Sequence, residues 1–209
     1  MPDVEERRQK RQKRGASVAR TVILSAAASV FAQKGYHGTT MEDLATASGY
    51  SPAAIYKYFK NKEDLFRHLW NEMAERLQAI FEESARMPLP FALRLRWLVT
   101  RLAGLLESSP DFVVAFIAQR PYAAVQAQTP LERQAFEHYV RHREQIIVIM
   151  KQGLAEGDLR EGDVDDYASL LIGLLYEFAY KWVTSGQMDL PANVEKLIDL
   201  FLRGAGAKA

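Results

Sequence analysis

The sequence predicts an all-α fold of about nine helices, with a short-helix, tight-turn, short-helix unit near its N-terminal end. Three observations predict it. Apolar residues recur at spacings of three and four through most of the chain, while strand-like alternation is scarce. Helix caps and breakers such as Gly35, Gly49, Ser51-Pro52, Asn61 and Met87-Pro88-Leu89-Pro90 cut that pattern into helix-sized pieces. The composition is globular: 209 residues, 48% hydrophobic and 25% charged, are enough for one sizeable helical core or two small domains.

Composition also excludes function classes. There is no cysteine, so a disulfide scaffold, a thiolate zinc site, an iron–sulfur cluster and a cysteine nucleophile are ruled out. No uninterrupted run of 18 apolar residues exists, and the charged N-terminus is not followed by the apolar core of a secretory signal. The expectation is a cytoplasmic protein with no membrane partner and no cofactor. Net charge is +1, but it is unevenly spread: residues 1–62 carry 11 Lys/Arg against 5 Asp/Glu, and residues 63–209 carry 16 against 21. A basic front end on an acidic remainder points to a polyanion at one end only. Six of the eleven cations lie between Arg7 and Arg14, so a solvated tail explains part of the excess equally well.

Along the chain, residues 1–16 read as a basic flexible arm. Ile23, Leu24, Ala27, Val30 and Phe31 stripe a helix from about Ser17 to Lys34, which Gly35 ends. A short helix starts near Thr39, where Thr39 and Glu42 have the spacing of a capping box, and Gly49 breaks it. Ser51 and Pro52 start the next helix, Ala53 to Phe59. Asn61 then caps a long helix, Lys62 to Arg86.

Residues 39–59 therefore outline a helix-turn-helix. Ala53 and Ala54 are small enough for close approach to a groove. Tyr56, Lys57 and Tyr58 bring hydroxyl and ammonium donors for phosphates or base edges. Ile55 and Phe59, four apart, would anchor the helix. The alternative is a small three-helix bundle with an ordinary surface helix.

The stretch from Arg20 to Leu65 resembles the N-terminal DNA-binding domain of TetR-type transcriptional regulators. The resemblance is carried by Ala26-Ala27, Phe31, Gly35-Tyr36, Thr39-Thr40, Leu44-Ala45, Gly49, Ser51, Ile55-Tyr56, Tyr58-Phe59, Lys62-Glu63 and Leu65. It implies a DNA-binding domain over 17–62 and a ligand-binding and dimerisation domain over 63–209. It implies phosphate contacts from Thr39, Thr40 and Lys62. Ser51, Ala53, Ala54 and Lys57 would face the major groove, and Tyr56 and Tyr58 would clamp the backbone. The Arg7–Arg14 arm would add phosphate or minor-groove contacts, or remain a bystander tail.

Beyond residue 86 the expected helices are Phe91–Glu107, Asp111–Gln119, Leu131–Ala155, Val164–Thr184 and Pro191–Arg203, with a loop containing Pro121 and Pro130. In the resembled family this part binds a small molecule and makes a homodimer through its last two long helices. Tyr167, Leu171, Leu174, Phe178 and Trp182 stripe the penultimate helix, and Val194, Leu197, Ile198 and Phe201 the last. They are candidates for a four-helix interface, or for the protomer's own core. Leu170, Gly173, Glu177 and Lys181 lie on another side. Ligand candidates are Trp97, Arg101, Phe112, Phe116, Phe136, Tyr139, Arg143 and Tyr176. Arg143 on its apolar stripe needs a counter-charge, either an anionic ligand or a carboxylate such as Glu177.

His138 and His142, four apart, could reach one metal, but HYVRH lacks the glutamate of HExxH and no third ligand is evident. No catalytic motif appears. The expected function is a homodimeric repressor bound to a palindromic DNA operator and released by a hydrophobic or amphipathic effector. The alternatives are a ligand-responsive activator and a bundle enzyme with a metal at His138 and His142.

Overall fold

The structure, a computed structural model, describes residues 2–118, 130–185 and 190–205. Among these residues it is helical: α1 Pro2–Gly38, α2 Met41–Ser48, α3 Pro52–Ile55, α4 Lys62–Arg86, α5 Phe91–Glu107, α6 Pro110–Ala118, α7 Pro130–Ala155, α8 Val164–Ser185 and α9 Leu190–Ala205. They form two compact units, Met1–Glu72 and Met73–Ala209. The sequence places the division at 62/63. It falls ten residues later because Leu65, Phe66 and Trp70 of α4 are buried, with Phe66 edge-on to Phe31 at 5.0 Å and to Tyr36 at 5.0 Å.

In the first unit α1 begins at Pro2, so the expected flexible arm is instead a helix. The reason is local. Residues 5–14 are Glu, Arg, Lys and Gln, all good helix formers, and Glu6 pairs with Lys10 one turn on at 2.8 Å. Ile23, Ala27 and Phe31 then point into the core. Within Glu5–Gly38 one stretch is apolar enough by composition for a membrane span, and a third of it is buried in this core. Gly35 breaks the helix at φ 70°, a conformation open to glycine.

The box that starts α2 sits one residue later than the sequence suggests. Thr40 is the cap: its hydroxyl accepts from the Asp43 N–H at 3.1 Å, and the Asp43 carboxylate accepts from the Thr40 N–H at 3.0 Å. Asp43 also takes a hydrogen bond from Lys34 at 2.6 Å. Gly49 closes α2 in the left-handed conformation at φ 73°. The α3 helix is one turn long and continues as a turn to Tyr58, where Lys57 N–H bonds to the Ala54 carbonyl.

In the second unit the core is built by Phe81, Phe91, Leu95, Leu98, Ile149 and Met150, closed by α8 and α9. The candidate dimer stripe belongs to this core. Val194, Leu197, Ile198 and Phe201 are 5% exposed or less, Leu171 is fully buried and Tyr167 nearly so. Leu174, Phe178 and Trp182 pack against the same cluster, half-buried. A fully buried side chain has no surface left for a partner, so the core alternative holds for those six. Pro130 begins α7 rather than lying in a loop; Pro121 lies outside the described residues. The Arg94 guanidinium, buried on α5, joins α5 to the end of α7 through Glu156 at 2.7 Å and the Leu89 carbonyl at 2.8 Å.

Two predictions follow from this packing. The Lys34 hydrogen bond and then the Thr40 N–H hold the Asp43 carboxyl at about 2, below its ordinary 3.8. A carboxyl lowered in the folded state contributes stability above pH 4 that is lost as pH falls from about 4 to 2. Between those values Asp43→Asn should flatten the fall of the urea midpoint; an unchanged slope would show that the pair adds nothing. The second concerns Gly153 on α7, where an added Cβ would lie 2.7 Å from the buried Phe91 ring and 3.0 Å from Leu159. Gly153→Ala should lower stability by about 1–3 kcal/mol, against the gain of ~1 kcal/mol usual for glycine to alanine in a helix. A raised urea midpoint would overturn it.

Candidate nucleic-acid interface

A four-residue helix has no stability of its own, and α3 is held from beneath. Ile55 is fully buried and Phe59 is 1% exposed, among the buried Leu44 and Ala45 of α2. Ser51 caps it, accepting from the Ala54 N–H at 3.2 Å, and Pro52 occupies the first helical turn. With Ile55 and Phe59 turned inward, Ser51, Ala53, Tyr56 and Lys57 are left exposed and Ala54 and Tyr58 half-buried. Tyr56 keeps 53% of its surface in water. The result is a small-residue platform flanked by a phenol and an ammonium, suited to a groove wall with phosphates on either side.

Two of the expected phosphate contacts have other roles. Thr39 is 2% exposed; its hydroxyl donates to the Gly35 carbonyl at 2.7 Å and its N–H to the Tyr36 carbonyl. Both donors are used inside the protein, so Thr39 shapes the turn between α1 and α2. The Lys62 ammonium donates to the Tyr36 carbonyl and to the Thr39 carbonyl, each at 2.7 Å, and lies 4.6 Å from the centre of the Tyr36 ring. Lys62 therefore fixes the start of α4 to that turn. Thr40 remains exposed.

Sequence reasoning missed the positioning residues. Arg20 donates to the Tyr58 carbonyl at 3.3 Å and sits over the Phe59 ring at 4.9 Å, joining α1 to the end of the recognition turn. Its signal was a cation placed among the apolar positions of α1. Asp64 accepts from the Lys60 N–H at 2.9 Å, while Asn61 caps α4 by accepting from the Asp64 N–H at 2.7 Å. Burial opposes ionisation of Asp64, but the Lys60 N–H and Arg67 outweigh it and keep the carboxyl below its usual range.

The candidate ligand residues all lie in the second unit. Within α5 the exposed Arg101 places its guanidinium 5.7 Å from the half-buried Trp97 ring. Within α7 Phe136 stacks on Tyr139 at 6.4 Å. Phe112 is buried, Tyr176 is half-buried, and the side chain of Phe116 lies outside the described residues. Arg143 takes its counter-charge from Asp165 rather than from Glu177, which pairs with Lys181 at 3.5 Å. Asp165 stands one residue into α8, one turn from Ser169, which Arg143 also approaches. His138 and His142 stack at 6.3 Å. Burial, then the neighbouring His138, lowers His142 to about 4, although its bond to the Ala74 backbone pulls the other way. No group of three metal-ligating side chains occurs among the described residues.

Comparison with known proteins places this geometry. Residues 23–69 match the family model described as bacterial regulatory proteins, tetR family. The chain is 28% identical over 188 residues to the fatty acid metabolism regulator protein of Bacillus subtilis (strain 168), covering 87% of this chain and 93% of that one. It is 33% identical over 129 residues to the HTH-type transcriptional repressor Rv1474c of Mycobacterium tuberculosis, covering 58% and 69%. The crystal structure of the transcriptional regulator FadR from Bacillus subtilis in complex with stearoyl-CoA shares the fold, with a TM-score of 0.73 and 24% identity over 88% of this chain and 98% of that one. The exposed face of α3, the fold and these relatives together make the chain a member of the TetR family, a DNA-binding transcriptional regulator and not an enzyme.

Proposed function

We propose that the chain acts as a homodimeric repressor on a palindromic operator and leaves it when a hydrophobic or amphipathic small molecule binds the second unit. The observation that carries the reading is the outward face of α3. Ser51, Ala53, Tyr56 and Lys57 stay exposed while Ile55 and Phe59 lock the turn in place. On this reading the DNA contacts come from Thr40, Ser51, Ala53, Ala54, Tyr56, Lys57 and Tyr58. One short helix reads few base pairs, so a two-fold dimer on half-sites about 34–36 Å apart supplies the affinity.

For the dimer we assign a different face of α8 from the buried stripe. Leu170 is 44% and Tyr180 is 45% exposed, and between them Gly173 has nothing within 4 Å of its missing Cβ. Positions 170, 173, 177 and 180 share one side of a helix, and glycine there admits a close helix approach. Leu200, 49% exposed on α9, extends the apolar area.

Fatty acyl compounds are the first effector class to test. One relative is named for fatty acid metabolism, and a neighbour of the same fold was solved with stearoyl-CoA. Trp97, Tyr139 and Tyr176 are the half-buried aromatic candidates to meet an acyl chain. Since α4 begins in the first unit and ends in the second, it is the continuous element through which an effector would bias DNA binding. The effector can do so only by its different affinity for the two states.

Selection of bound duplexes from a random pool should return an inverted repeat. On it, Lys57→Ala and Tyr56→Ala should each weaken binding by about tenfold or more, on the scale of about 1–3 kcal/mol for a lost contact, with dimer and helix content retained. Unchanged affinity in both variants would remove α3 from the interface. Titrating long-chain acyl-CoA into the wild-type complex should release the DNA; release by no acyl compound would send the effector search to another chemical class.

A further inference from the structure

We propose that the seam where α4 meets α7 is the polar subsite for the effector, at which the amide oxygens of Gln78 and Gln152 accept hydrogen bonds from an uncharged N–H or O–H group of the ligand. This rests on the effector reading above and narrows it. The ligand is an amphipathic molecule that carries an amide or a hydroxyl, as the arm of an acyl-CoA does, and not a bare carboxylate.

Contacts at both ends bring the two helices together. The His142 ring of α7 is bonded to the Ala74 backbone of α4, and its centre lies 5.6 Å from that of the Phe81 ring. Further along, Gln152 Nε2 donates to the Ala85 carbonyl at 3.2 Å. The steps from 74 to 85 on α4 and from 142 to 152 on α7 are each about 15–17 Å along the helix axis. The two helices therefore run in the same direction along this seam. Ala74, Gln78, Phe81 and Ala85 share one face of α4, so Gln78 stands within the seam, between the two contacts.

What the seam offers a ligand is uncharged acceptors. Gln78 Nε2 donates to the Glu82 carboxylate at 2.8 Å, as Gln152 Nε2 does to the Ala85 carbonyl. A carboxylate and a carbonyl only accept, so each glutamine turns its NH2 group towards them and its oxygen the other way. Both oxygens are buried and have no hydrogen-bond partner among the described residues. Burial, then the neighbouring His138, holds His142 at about 4, so near neutral pH the ring between them carries no charge. A ligand that brings an N–H or O–H satisfies acceptors whose burial without a partner costs free energy. A carboxylate would bring only further acceptors. Tyr139, half-buried one turn before His142, places an aromatic candidate for the acyl chain beside the subsite.

The test uses the full chain and the variants Gln78→Met and Gln152→Met. Methionine is unbranched and flexible like glutamine but lacks the amide; circular dichroism and the urea midpoint check folding. The probes are dodecanol, its methyl ether, dodecanoate and dodecanoyl-CoA, with binding followed by tryptophan fluorescence. The ether keeps the chain and the oxygen but has no O–H to donate. Wild-type protein should bind dodecanol about tenfold or more tightly than the ether, and dodecanoyl-CoA more tightly than dodecanoate. In Gln78→Met the ratio of alcohol to ether affinity should fall to about one while the ether binds as before, and dodecanoyl-CoA should weaken by about tenfold. Gln152→Met, on the other helix, should lower the same ratio. Equal affinity of the wild type for alcohol and ether would overturn the inference, since the oxygens would then be served by water. A ratio unchanged in both variants would overturn it as well. Binding of none of the probes would bring down the acyl-effector reading, and this subsite with it.

Discussion

The exposed face of α3 depends on the burial of Ile55 and Phe59. A one-turn helix cannot hold its shape in water, because each hydrogen bond it closes costs several fixed dihedrals. Two apolar side chains four residues apart, both almost wholly removed from solvent, supply what the backbone lacks. The same inward turn decides which residues face outward. Ser51, Ala53, Tyr56 and Lys57 are presented because Ile55 and Phe59 are not. The make-up of this exposed face is thus a consequence of core packing.

Around that anchor, charged groups act as fasteners. Lys62 ties the first residue of α4 to two backbone carbonyls of the α1–α2 turn, and Arg20 ties α1 to the carbonyl of Tyr58. A backbone carbonyl at a helix end has lost its helical partner, so an ammonium or guanidinium is a well-matched donor there. These cations hold the elements of the first unit in register, while Lys57 stays exposed on α3. A count of positive charge in the first 62 residues does not show which cations are used in this way; the hydrogen bonds of Lys62 and Arg20 do.

The second unit shows a related division on its apolar surface. The strongest apolar stripe, on α9, is consumed by the protomer's own core. What α8 offers outward is sparser, with Leu170 and Tyr180 flanking a bare glycine. Periodicity measures how amphipathic a helix is. It does not say whether the apolar side meets the same chain or another copy.

The helix limits of α4 and α5, the breaks at Gly35 and Gly49, the caps at Ser51 and Asn61 and the solvent-facing composition of α3 were legible in the sequence, because each follows from residues within one turn of each other. The basic run at residues 7–14 was legible as charge, but its helical state was obscured by weighing polarity above propensity. That Thr40 and not Thr39 caps α2, that Lys62 is bonded to backbone carbonyls, and that Arg143 pairs with Asp165 and not Glu177 were decided only by the fold. In each case the outcome depends on burial and on partners brought close from elsewhere in the chain, as when α4 delivers Lys62 to carbonyls 23 and 26 residues earlier.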